Sequence, residues 1–252
     1  MQASQSTAQG GGTGTPARQQ FSYLKECATN PSLFMLMKEL RSALSGCDTV
    51  LDVGCGNISP MRFVNCRKLV GVDGYAPSLE EARKNGTHDE YCLADVRKIG
   101  TLLGNRRFDA CVALDVIEHL PKEDGWKMVE QMEQLSTGLV IIFTPNGFMP
   151  QRSKNGDLQE HLSGWTADEM RAKGYKVYGM YGPKQFRGEY HMINRQPRIL
   201  WLLASFFRHY TGTLNQPEQA AAILCIKDKK SARRADFDGS PLPPDHGRVS
   251  SS

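Results

Sequence analysis

From about residue 49 onward the chain alternates short apolar runs with longer stretches in which apolar residues recur at helical spacing. Runs bounded by polar or glycine-containing turns read as buried strands. They are Thr49–Val53, Lys68–Val72, the segment around Tyr91–Ala94, Phe108–Leu114, Leu139–Phe143, Tyr175–Met180 and Ala221–Ile226. Between them lie helical patterns. LFMLMKELRSAL after Asn30-Pro31 is closed by Gly46, a short helix is expected over Pro60–Arg67, and Lys122–Leu135 runs towards Gly138. Thr166 stands three residues before Glu169, a capping-box spacing that starts another helix, which Gly174 ends. Strands separated by helices predict parallel β-α-β units. The expected architecture is an α/β, Rossmann-like, seven-stranded and mostly parallel sheet with helices on both faces. Such sheets take ligands beyond the carboxyl ends of their strands, where the strand order reverses.

Residues 1–20 are rich in Gly, Ser, Thr and Gln and read as a disordered leader, and 229–252 as a disordered tail. That leaves one domain, 21–228, with an insertion at about 182–217. The insertion and its border carry Tyr181, Lys184, Arg187, Tyr190 and His191, a polar and aromatic mixture suited to shaping an acceptor pocket. The basic run Lys227–Arg234 is expected to be solvated. Ile199–Phe207 (ILWLLASFF) is the most apolar run. It reads as a core helix or dimer face, with shallow membrane contact or a lid over a hydrophobic acceptor as its other uses. No run reaches the roughly 18 apolar residues of a membrane span.

Composition narrows the class. A hydrophobic share of 40% supports a proper core. A net charge of +4 is too mild for a dedicated nucleic-acid binder, so a small-molecule acceptor is the expected partner. Seven cysteines without a CxxC pair, and an N-terminus without a secretory apolar core, predict reduced thiols in the cytoplasm.

The chemistry begins at VLDVGCGN, where an apolar strand runs into a G-x-G turn (Gly54, Cys55, Gly56). Glycine there lets a ligand approach the backbone and permits unusual dihedrals. Ser59 stands where a dinucleotide fingerprint has its third glycine, which argues against a pyrophosphate ligand. Asp52 would repel phosphate but suits a cationic amino group. Asp73, followed by Gly74, closes the next strand in the register where an acidic residue takes ribose hydroxyls.

DVGCG, GVDG, CLADV and FDACVALDVIEHL, in that order over roughly residues 48–180, resemble the motif series of class I S-adenosylmethionine-dependent methyltransferases of the small type 11/23 branch. The resemblance implies that Gly54 and Gly56 approach the methionine moiety and that Asp73 binds the ribose. It further implies that Asp95 accepts from the adenine amine beside Val96, and that Leu114 and Asp115 line the cofactor. The short helix after the turn departs from the pattern and leaves that wall open or irregular.

Methyl transfer is an in-line displacement, and a hydroxyl acceptor must lose its proton; a neutral histidine is the natural base at pH 7. His119 of Glu118-His119-Leu120 comes first, then His161 of Glu160-His161, with Glu118 beside them. Read structurally, Glu118-His119 caps a helix and braces its loop. D-x-x-E-H with a later histidine also resembles the metal site of small-RNA 3′-terminal 2′-O-methyltransferases. That resemblance implies Asp115, Glu118, His119 and His161 as ligands for a divalent ion, with Asp115 in place of the family's longer Glu. The functions weighed are methylation of an oxygen or nitrogen on a small molecule, metal-assisted methylation of an RNA ribose, and a non-catalytic cofactor-binding scaffold. The D/N-P-P-Y motif of DNA amino-methyltransferases is not found after the fourth strand, nor is the double-Glu hairpin of arginine methyltransferases.

Overall fold

The computed structural model describes residues 16–151, 159–188, 192, 193 and 195–230. Seven strands form one sheet: β1 (Thr49–Val53), β2 (Lys68–Asp73), β3 (Glu90–Leu93), β4 (Phe108–Leu114), β5 (Ser136–Pro145), β6 (Lys176–Pro183) and β7 (Ala220–Asp228). Their order is β3-β2-β1-β4-β5-β7-β6. β1 to β5 pair in parallel, while β7 runs antiparallel to both β5 and β6. The expected seven-stranded, mostly parallel sheet is thus found.

The sheet is covered on both faces, so its strands are apolar on both. Successive side chains of one strand go to opposite cores. Leu51 and Val53 of β1 join Met128, Met132 and Trp165 in one core. Val50 joins Met35, Leu40 and Phe143 in the other. Helices α1 (Pro16–Thr29) and α2 (Pro31–Ala43) bring Tyr23, Met35 and Leu40 to that second core. Helices α3 (Ala76–Asn85), α4 (Ile99–Leu103), α5 (Lys122–Leu135) and α6 (Ala167–Ala172) complete the layers before β6. Thr166 caps α6 with both arms of the expected box: its hydroxyl accepts from the Glu169 amide, and the Glu169 carboxylate accepts from the Thr166 amide. From β1 the chain builds outward to β2 and β3, then crosses to β4 on the other side of β1. The reversal falls between the carboxyl ends of β1 and β4.

Several expectations change. Residues 16–20, assigned to a leader, are the opening of α1, whose Tyr23 is buried against Phe63; the rest of the leader lies outside the described residues. The expected helix over Pro60–Arg67 is a single 3-10 turn, Pro60–Phe63. β7 continues to Asp228, and the lysines after Ile226 are not simply solvated. The Lys227 ammonium is 2.9 Å from Glu133, and Lys229 donates to the Ser136 carbonyl at 2.6 Å. Residues 231–252 lie outside the described residues. The apolar run is helix α7 (Arg198–Arg208), but it is no core helix: Ile199, Leu200, Leu203 and Phe207 are each at least 60% exposed. Among the described residues no helix is long and apolar enough to cross a membrane.

Candidate active site at the carboxyl ends of β1, β2 and β4

The turn after β1 is tied to the end of β2. The amides of Gly54 and Cys55 both donate to the Val72 carbonyl, at 2.7 and 3.0 Å. Gly54 has φ +72°, and a Cβ there would lie 2.5 Å from Val116 Cγ2, so neither the backbone nor the space admits a side chain. Gly56 has φ +58° with nothing within 4 Å of its missing Cβ, which leaves the outer side of the turn open for a ligand. Asp73 closes the arrangement. Its two carboxylate oxygens accept from the Gly56 and Tyr75 amides, each at 2.8 Å. Gly74, next to it, is exposed.

Asp52 sits elsewhere than expected. It is 2% exposed, and its Oδ2 accepts from Ser59 Oγ at 2.5 Å and lies 2.9 Å from His88 Nε2. Thr87 Oγ1 lies 2.8 Å from the other ring nitrogen of His88. The carboxylate therefore braces the turn from beneath. Sequence reading missed Ser59, Thr87 and His88 as its partners, and no motif marks them. The Cys55 side chain is also turned inward, towards Gly71, and burial beside Asp52 and Asp73 pushes its thiol up. Cys55 offers a ligand only its backbone.

At the end of β3, Asp95 is held by Arg97. It accepts from the Arg97 amide at 2.9 Å and from the guanidinium at 2.7–3.0 Å, which holds its carboxyl below the usual range. Val96 beside it is half-buried.

Beyond β4, Leu114 is half-buried and Asp115 adopts φ +53°, in the left-handed region where Asp is among the more tolerant residues. Asp115 lies on the floor of a cleft of about 290 Å³ that Leu114, Leu33, Glu26 and Tyr181 also line. A larger hollow of about 810 Å³, lined by Gly46, Leu69 and Asp89, lies at the opposite, amino end of the strands, away from this chemistry. Enclosure by protein pushes the Asp115 carboxyl up to about 7, although solvent reaches it through the cleft; the neighbouring Glu118 works against that rise. Glu118 is 2% exposed and is driven well above the carboxylate range, first by burial and then by the Asp115 charge.

The Glu118 loop is zipped to the segment before α6. The Glu118 carbonyl accepts from the Leu162 and Ser163 amides, at 2.8 and 3.0 Å. Thr144 Oγ1, at the end of β5, donates to Glu118 Oε2 at 2.9 Å, while Oε1 is buried with no hydrogen-bond partner. This seam brings together the two histidines the sequence singled out, their ring centroids 4.8 Å apart and edge to face. Each uses Nδ1 towards a backbone carbonyl: His119 to Glu160 at 3.0 Å and His161 to Met149 at 2.7 Å. A carbonyl only accepts, so Nδ1 carries the proton, and in the neutral ring the lone pair belongs to Nε2. Burial lowers the His161 pKa, which keeps that ring neutral at pH 7. One ligand atom each from Glu118, His119 and His161 all lie within 4.8 Å of one another. Asp115, expected as a fourth, is not in that group.

A glycine turn, an acidic residue at the end of β2 and paired histidines beyond β4 thus meet at the strand reversal, where doubly wound sheets take their ligands. Comparison with known proteins narrows this. Residues 51–141 match the family model described as a methyltransferase domain. No curated protein matches the chain. Among solved structures, the chain is similar to an S-adenosylmethionine-dependent methyltransferase from Archaeoglobus fulgidus, with TM-score 0.51 and 15% identity over 83% of this chain and 100% of that one. It is also similar to the plantazolicin methyltransferase BamL, solved with S-adenosylhomocysteine, with TM-score 0.50 and 15% identity over 84% of this chain and 90% of that one. Residues 51–141 thus carry the methyltransferase-domain match, and the chain shares the fold of these two methyltransferases.

Proposed function

We propose that the chain is a class I S-adenosylmethionine-dependent methyltransferase that methylates an oxygen or nitrogen of a small-molecule acceptor, with His119 as the base and His161 as its neighbour. The observation that carries this reading is the histidine pair at the carboxyl end of β4, each ring held through Nδ1 by a backbone carbonyl. The cofactor supplies a methyl carbon bonded to a positively charged sulfur. Gly54, Gly56 and Gly74 are read as the backbone wall for its methionine part, with Asp52, expected near the ammonium, bracing that wall from beneath instead. Asp73 is read against the ribose, Asp95 and Val96 against the adenine, and Leu114 and Asp115 along its inner edge. With a hydroxyl acceptor, a histidine Nε2 would take the proton that the oxygen loses on methylation. Glu118 is a positioning residue in this scheme, because its carbonyl locks the His119 loop to the His161 segment and its carboxylate ties that loop to Thr144 of β5. The 182–217 insertion, less Tyr190 and His191, which lie outside the described residues, is read as the acceptor wall. The domain bounds of 21–228 and a cytoplasmic setting are proposed with it; the seven cysteines, all free thiols, support a reducing compartment.

A second reading rests on one specific observation, the clustering of a Glu118 carboxylate oxygen with both imidazoles while Glu118 Oε1 is buried without a hydrogen-bond partner. A carboxylate and two histidines suit a divalent ion of intermediate softness. Held by Glu118, His119 and His161, such an ion would acidify a bound hydroxyl in place of a histidine base.

One experiment separates the two. Purified protein is given radiolabelled S-adenosylmethionine and pools of metabolites or RNA, with and without chelator. The leading reading predicts label in a small molecule and full turnover in chelator. Turnover lost to chelator and restored by Mn²⁺ or Mg²⁺ supports the ion, and label in RNA alone contradicts the small-molecule assignment.

A further inference from the structure

Helix α7 carries an apolar face that no other part of the described chain covers. Ile199, Leu203 and Phe207 recur one turn apart, and Leu200 stands beside them. They are 66, 61, 66 and 60% exposed. The opposite side of the helix is anchored. Ser205 is fully buried, and its hydroxyl donates to the Tyr181 carbonyl at 2.8 Å. Phe206 packs against Phe34 of α2, itself 40% exposed, with ring centroids 6.3 Å apart, so the apolar surface continues onto α2. Leaving four large apolar side chains in water on one helix face is costly, and such patches mark contact surfaces.

The charge around this face selects the partner. From Met192 to Pro217 the sequence contains no Asp or Glu, but it contains Arg195, Arg198 and Arg208. Arg198 and Arg208 stand at the two ends of α7, and Arg195 lies over the Trp201 ring at 4.8 Å. On α2, Lys38 lies over Tyr210 at 4.4 Å; the nearest acid there is Glu39, 3.8 Å from Lys38. In a two-fold contact between copies this basic rim would face itself, and like charges would oppose the union. An anionic bilayer surface meets both features: its acyl boundary takes the apolar face and its headgroups take the arginines. We propose that α7 docks the enzyme on anionic membrane surfaces, lying in the plane of the interface. This does not depend on the identity of the acceptor. It places the Tyr181 wall of the active-site cleft directly behind the docked helix.

The test is sedimentation of the full chain with vesicles of phosphatidylcholine alone or with roughly a third phosphatidylglycerol. The expected result is capture by the anionic vesicles, weakened at least about tenfold by high salt or by omission of the anionic lipid. The double variant Leu203→Asp, Phe207→Asp should stay in solution while keeping a cooperative thermal melt. If it does not melt cooperatively, Leu203→Ser serves instead, with capture expected to fall several-fold. No capture of the wild type, or equal capture of a folded variant, overturns the proposal. A dimer seen by analytical ultracentrifugation, lost in the variant and unaccompanied by vesicle binding, assigns the face to a second copy.

Discussion

Asp73→Ala is expected to weaken S-adenosylhomocysteine binding by about 100-fold or more, together with a clear loss of thermal stability. Asp73 does two things at once. Its carboxylate receives the Gly56 and Tyr75 amides at 2.8 Å, which fixes the height of the glycine turn, and it closes β2 beside the open side of Gly56. Hydrogen bonds to a charged group contribute about 1.5–3 kcal/mol each. Losing two such bonds to the ribose hydroxyls that Asp73 is read against costs about 3 kcal/mol, which is two decades in a dissociation constant. Gly54→Arg should be as severe for a different reason. Any Cβ there meets Val116 at 2.5 Å on a backbone with φ +72°, so the turn must move before a side chain fits. Isothermal titration of both variants is the check, and wild-type affinity in both would remove the turn from the cofactor site.

The second large effect is on turnover. His119→Ala should lower kcat by about 10²–10⁴-fold while cofactor affinity changes little, because the ring belongs to the acceptor side of the site. His161→Ala should lower kcat by a smaller factor. Glu118→Gln is the informative companion. It keeps the shape and the Thr144 contact but can no longer ionise to a carboxylate ligand. Under the histidine-base reading it retains most of the activity, and under the metal reading it loses activity together with ion binding. Unchanged kcat in His119→Ala would exclude that residue from the chemistry.

How much of this was legible beforehand depends on what kind of force shaped each part. β1, β4 and α5 begin and end where apolar runs and turn residues place them, because buried parallel strands need near-continuous apolar sequence and α5 needs one apolar stripe. The opening of α1, residues 16–20, reads as leader because it is polar, and the apolar residues of the helix begin only around the buried Tyr23. α3 escaped notice because only Leu79 and Ala82 of its ten residues are buried. α7 shows the converse, since an apolar stretch implies burial only when something covers it. In the site, the glycines and Asp73 were legible because a turn and a strand end are local features. The brace under Asp52 was not, because Ser59 and His88 reach it through tertiary folding alone. The pairing of His119 with His161 depends on the Glu118 carbonyl catching two amides of a distant segment, and no local spacing encodes that.

The most direct measurement is titration of the wild-type full chain with S-adenosylhomocysteine. The account predicts saturable binding at about one site per chain, with affinity in the micromolar range and competition by S-adenosylmethionine. Absence of binding to either molecule by a cooperatively folded sample would contradict it.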